Sequence, residues 1–110
     1  MTAPVSPAGP TTPELVAGWL GLRGEAGIDE AEPVAAAVNA YVKRLVPVPA
    51  DGVAWDSDRT LGATMLAARL LRRKNSPSGV ESFGTESLSY VRRSDPDIDR
   101  LLGLGRPAIG

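Results

Sequence analysis

The apolar residues of this chain recur at helical rather than strand spacing. Val34, Ala37, Val38, Tyr41, Val42 and Leu45 fall at i, i+3, i+4, i+7, i+8 and i+11, one face of a helix predicted over about 30–46. Asp29 or Glu32 starts it, and Pro33 is placed in its first turn, where a missing N–H costs little. Lys43 and Arg44 suit the negative end of its dipole, and Pro47 and Pro49 stop it. A shorter helix is predicted over about 13–21. Thr12 is its N-cap, Pro13 its first helical residue and Glu14 a first-turn carboxylate. Leu15, Val16, Trp19 and Leu20 form its apolar face, and Gly21 and Gly24 end it. A third helix is predicted over about 57–74, opened by Asp56 or Ser57. Leu61, Ala63, Met65, Leu66, Ala67, Ala68, Leu70 and Leu71 make it apolar nearly all round, so it needs cover on more than one side. It is the central helix, or it also packs on a second subunit, and Gly62 and Ala63 allow another backbone to come close. Trp55, in the connection before it, is expected to lie over the helix ends.

Asn75-Ser-Pro-Ser-Gly79 cannot continue that helix. In the segment beyond, Leu88 and Tyr90 alternate with serines, a strand-like pattern, so an extended arm or β-hairpin is expected near 75–93. It either pairs within its own chain or adds a strand to a partner. Asp95 and Pro96 then read as a cap and a first helical residue. They open a short helix near 96–102, with Ile98, Leu101 and Leu102 facing inward and Gly103 and Gly105 closing it. The fold class expected is therefore mainly α: a small helical bundle over 13–104, with a flexible proline-rich tail at 1–12 and an extended tail at 105–110.

With 110 residues there is room for one small domain, marginal alone and stabilised by assembly. Alanine and leucine supply most of the apolar mass and aromatics are few, which favours helices. The net charge of −1 is unevenly placed. Residues 1–55 carry three basic and six acidic side chains, net −3, and residues 56–110 carry nine and seven, net +2. The difference is either ordinary surface charge or a match for head-to-tail packing of like subunits. It lacks the dense basic face of a dedicated nucleic-acid binder.

The chain has no histidine and no cysteine. That excludes disulfides, zinc sites of thiolate or imidazole, and hydrolases with a histidine base. The N-terminus has neither a basic n-region nor an apolar run, so no secretory signal is expected, and no stretch is long and apolar enough for a bilayer. A cytoplasmic protein, or one of a particle assembled there, is expected. Asp95, Asp97 and Asp99 alternate, so on a helix they point apart, and they lack the glycine turn and distal glutamate of a calcium loop. The glycine pairs at 21 and 24 and at 103 and 105 follow no strand and carry no P-loop lysine, so they read as helix ends. No catalytic residue, metal or cofactor is expected. The dense basic cluster, Arg69, Arg72, Arg73 and Lys74, reads as a solvated helix C-terminus, as a contact for acidic groups on a partner protein, or as a contact for DNA phosphate. A small helical DNA-binding or regulatory module using that cluster is the alternative function.

The order of elements carries a resemblance. A Pro-Glu-Leu-Val-Ala-Gly-Trp-Leu helix comes first, followed by an alanine- and valine-rich helix ending Ala40-Tyr-Val-Lys-Arg44. A linker through Trp55 leads to the helix Leu61-Gly-Ala-Thr-Met-Leu-Ala-Ala-Arg-Leu-Leu71. The arm Arg72-Arg-Lys-Asn-Ser-Pro-Ser-Gly-Val80 and the closing Asp95-Pro-Asp-Ile98 and Leu101-Leu-Gly-Leu104 complete it. Over about residues 13–104 this resembles the head-to-tail connector, or adaptor, proteins of long-tailed bacteriophages, especially those infecting actinobacteria. The arginine-rich, lysine-poor usage fits a GC-rich host. The resemblance implies a non-enzymatic virion protein at the head–tail interface, assembled in the host cytoplasm. It implies a ring, typically of twelve copies, beneath the portal protein, extending the DNA channel and presenting a surface to the next neck or tail protein. Double-stranded DNA would pass through without sequence-specific contact, and no membrane is involved. The positions expected to meet the portal or a neighbouring subunit are Arg69, Arg72, Arg73 and Lys74, Leu88, Tyr90, Arg92 and Arg93 of the arm, and Arg106, Pro107 and Ile109 of the tail. The long proline-rich start departs from the family's compact pattern.

Overall fold

A computed structural model describes residues 9–74 and 85–104. These form a small helical bundle of five helices: α1 (Pro13–Leu20), α2 (Gly24–Leu45), α3 (Ser57–Lys74), α4 (Thr85–Arg93) and α5 (Pro96–Leu102). Helix α3 is the central element and packs against each of the other four. Ala63, Leu66, Ala67, Ala68, Leu70 and Leu71 are buried along it, so the nearly all-round apolar pattern is used inside the chain's own core. Gly62 provides the close approach. A Cβ there would sit 3.0 Å from Leu101 Cβ and 3.1 Å from Leu102 Cγ, so glycine lets α5 lie directly on α3 without the shift of a few tenths of an ångström that a methyl group would require.

Helices α1 and α5 begin and end by the same local chemistry. Thr12 accepts the Leu15 N–H at 3.1 Å, and Asp95 accepts the Asp97 N–H at 2.9 Å, each just before a proline that gives up no useful donor. At the other end, Gly21 and Gly103 adopt φ of 74° and 78°. Leu22 N–H then donates to Ala17 O, and Leu104 N–H to Asp99 O, both at 2.9 Å. These are Schellman closures, and the leucine after each glycine packs against the core. Arg59 donates to Leu101 O at 3.3 Å and adds a cation at the negative end of α5. Trp55 packs, half-buried, against the same core.

The structure corrects three expectations. Helix α2 starts at Gly24, not near 30, and Pro33 is its tenth residue rather than part of its first turn. The inward stripe continues backwards through Ala31 and Gly27, whose smallness lets Leu22 lie against the helix: a Cβ on Gly27 would come within 2.7 Å of Leu22 Cβ. Pro33 and Asp29 are exposed, so water can reach the carbonyl that proline leaves without a donor. Secondly, residues 85–93 are helical, not an extended arm or hairpin. The residues that α4 buries are Leu88 and Val91, three apart, which is helical spacing, while Tyr90 points outward. Residues 75–84 lie outside the described residues.

Thirdly, residues 9–11, expected in the flexible tail, are buried. Thr11 N–H donates to Asn39 Oδ1 at 3.0 Å, and Asn39 Nδ2 donates to Thr11 O at 2.9 Å. The Thr64 hydroxyl donates to Thr60 O at 2.7 Å, so the 2.7 Å contact between the Thr11 and Thr64 hydroxyls has Thr11 as its donor. Gly9 lies flat on Asn39, where a Cβ would fall within 2.4 Å of the side chain. One buried amide on α2 and one hydroxyl on α3 thus tie down the N-terminal segment. Asn39→Ala is expected to cost about 2–3 kcal/mol in urea unfolding, because it strands both backbone groups of Thr11 in the interior. A loss no larger than that of a surface substitution would contradict this role.

Candidate functional site

The basic cluster at the end of α3 meets α4 and α5 at one corner of the bundle. Arg69 pairs with the buried Asp95 at 2.5 Å, joining α3 to the α5 N-cap. Arg73 lies over the Tyr90 ring, 5.2 Å from its centroid, a cation–π contact between α3 and α4. Arg92 donates from Nε to the Tyr41 hydroxyl at 2.9 Å and pairs through Nη1 with Asp99. Tyr41 also shares a 2.8 Å hydrogen bond with Ser89, so α2 and α4 meet at one phenol, and Arg92 carries the link on to α5. Burial alone would lower the Arg92 pKa, but the Tyr41 and Asp99 contacts outweigh it and hold the guanidinium above its ordinary value. Its charge is therefore constant at any working pH.

The three alternating aspartates each face a different arginine. Asp95 takes Arg69, Asp97 takes the exposed Arg100 at 3.0 Å, and Asp99 takes Arg92. Their divergence is what helical geometry requires of residues two apart. Among the described residues no group of three or more acidic side chains converges as a metal site requires, and no helix is long and apolar enough to cross a membrane.

The structure divides the expected contact residues. Arg72 and Arg93 are exposed, as is Tyr90 beneath Arg73. Leu88 is buried in the chain's own core, and Arg92 is held between Tyr41 and Asp99. Lys74 closes α3. Arg106, Pro107 and Ile109 lie outside the described residues.

A surface that the sequence reading missed runs beside the basic corner. Leu15 is 44% exposed, Trp19 53% and Leu61 38%. Helix α1 turns Val16 and Ala17 inward, so Leu15 and Trp19, four apart, form a second stripe facing out. With Glu14, Gly18, Ser57, Thr60, Leu61 and Thr64 they line an open groove of about 410 Å³. Trp19 also lines a second hollow of about 320 Å³ with Leu20, Ala68, Arg69 and Arg72. The signal was present in α1: Leu15, Val16, Ala17, Trp19 and Leu20 are more apolar surface than one packing face of a two-turn helix can cover.

No protein-family model, curated protein or solved structure matches the chain.

Substitutions at Asp95 separate its two jobs. Asp95→Ala removes both the cap and the partner of Arg69 and is expected to cost about 2 kcal/mol in chemical unfolding. Asp95→Asn keeps a good cap and loses only a half-exposed ion pair, at under about 1 kcal/mol. Equal losses would show that the ion pair, not the cap, holds the α4–α5 corner.

Proposed function

We propose that the chain is a structural virion protein: a head-to-tail connector that forms a ring under the portal, extends the DNA channel and joins the capsid to the tail. The observation that carries this reading is the uncovered surface of Leu15, Trp19 and Leu61 beside Arg69 and Arg72. An exposed tryptophan flanked by apolar groups and arginine has the composition of a protein–protein contact. A bundle this small gains stability from such a contact. The order of α1, α2 and α3 follows the order on which the resemblance to connector proteins rests. On this reading the partners are further copies of the chain, the portal protein and the next neck or tail protein, with duplex DNA passing through the ring.

The alternative, a DNA-binding module using residues 69–74, is weakened by the same geometry. Arg69 is drawn to Asp95 and Arg73 lies over Tyr90, so the charges do not project together as a phosphate-tracking row does.

Electron microscopy of the full chain mixed with the portal protein of its own virion tests the proposal. The expected result is a closed ring of the chain seated on the portal. A strictly monomeric chain that ignores portal, yet binds a specific duplex with affinity falling steeply with salt, would overturn it in favour of the DNA-binding module.

A further inference from the structure

The uncovered groove has a graded character along its length. At one end stands Glu14, beside Ser57. Leu15, Leu61 and Trp19 follow, and Arg69 and Arg72 close the other end. The outer face of α2 carries the opposite gradient. Glu25, Asp29, Glu32, Ala36, Ala40 and Lys43 succeed one another at spacings of three and four, all exposed, so they form one stripe. That stripe is acidic, then smooth and small, then basic.

The lengths agree as well as the chemistry. Ser57 and Arg72 are fifteen residues apart on α3, a rise of about 22 Å, and Asp29 and Lys43 are fourteen apart on α2, about 21 Å. Laid together in register, Arg72 meets Asp29 and Glu32, Trp19 meets the smooth patch at Ala36 and Ala40, and Glu14 meets Lys43. The two surfaces belong to different helices of the same chain.

We propose that the groove between α1 and α3 receives the outer face of α2 from a second copy of the chain. The contact is heterologous, since one surface meets a different one, so a joined pair keeps one free groove and one free α2 face for further copies. Trp19 is the anchor, and the charges at the two ends set register and direction. The inference deepens the connector reading, because a ring of like subunits requires one such pair of surfaces.

Charge exchange between two variants of the full chain tests it, read by sedimentation velocity from micromolar to millimolar concentration without portal. The wild-type chain is expected to self-associate. Arg72→Glu, and separately Asp29→Arg with Glu32→Arg, should each weaken that association roughly tenfold, as a reversed charge pair at an interface does. All three positions are exposed, and circular dichroism checks that both variants keep the helical fold. An equimolar mixture should recover association, because each variant then meets a surface of the opposite sign. Three results would overturn the proposal: a wild-type chain that stays monomeric throughout, which assigns the groove to a different protein; an association indifferent to the α2 substitutions, which indicates a symmetric groove-to-groove dimer; or a mixture that recovers nothing. Portal binding, scored separately on the same samples, distinguishes failure of this contact from failure of the connector reading. Portal capture without charge-dependent self-association sinks the former, and charge-dependent self-association with no affinity for portal sinks the latter.

Discussion

A helix apolar on nearly every side must be covered on nearly every side, and α3 imposes that requirement on the whole chain. Leu66 and Leu71, five residues apart, point in different directions, Leu70 lies between them, and all three are buried, so no single partner helix suffices. Helices α1, α2, α4 and α5 each take part of the circumference, and the glycine at 62 lets the shortest of them lie close. The remainder is a narrow outward stripe of Leu61, Arg69 and Arg72. What the molecule can do for others is decided by what this cover leaves open.

Polar groups fix the cover in place rather than supplying most of its stability. The Asn39 amide holds the N-terminal segment against α2, the Thr64 hydroxyl holds it against α3, and the Tyr41 hydroxyl holds α4 through Arg92 and Ser89. Buried groups of this kind are costly when half satisfied, so each one specifies a single arrangement of the elements around it. At the α4–α5 corner the break is sharp because Pro96 forces Asp95 into an extended conformation, and Asp95 then caps the next helix while holding Arg69. The acidic residues there stabilise helix ends and orient arginines.

Much of this was legible in the residues. Thr12-Pro13, Asp95-Pro96 and the paired Gly-Leu closures at 21–22 and 103–104 mark helix ends by mechanisms that act over a few residues, so a sequence reveals them. What failed depended on tertiary contact. Gly27 looks like a loop residue until Leu22 is seen lying against the helix it belongs to. Leu88 and Tyr90 alternate like a strand, but the buried pair is Leu88 and Val91, and only packing on α3 makes that choice. Asn39 within the apolar stripe was a hint of a buried partner, yet nothing local names Thr11, twenty-eight residues earlier. At the site, the arginines of α3 are conspicuous, while Leu15 and Trp19 read as one apolar face with Val16 and Leu20. Their outward turn follows from Val16 and Ala17 taking the inner face.

The fold leaves two surfaces exposed, the groove of Leu15, Trp19 and Leu61 and the outer face of α2. The natural chain has no cysteine, so an introduced pair forms the only disulfide possible. The most direct measurement is oxidation of the full chain carrying both Leu15→Cys and Ala40→Cys, followed by mass determination of the covalent products. A ladder of covalent multimers closing at a ring, with each bond joining position 15 of one copy to position 40 of the next, is the predicted result. Covalent dimers linked only between like positions, or no cross-linking at all, would contradict it.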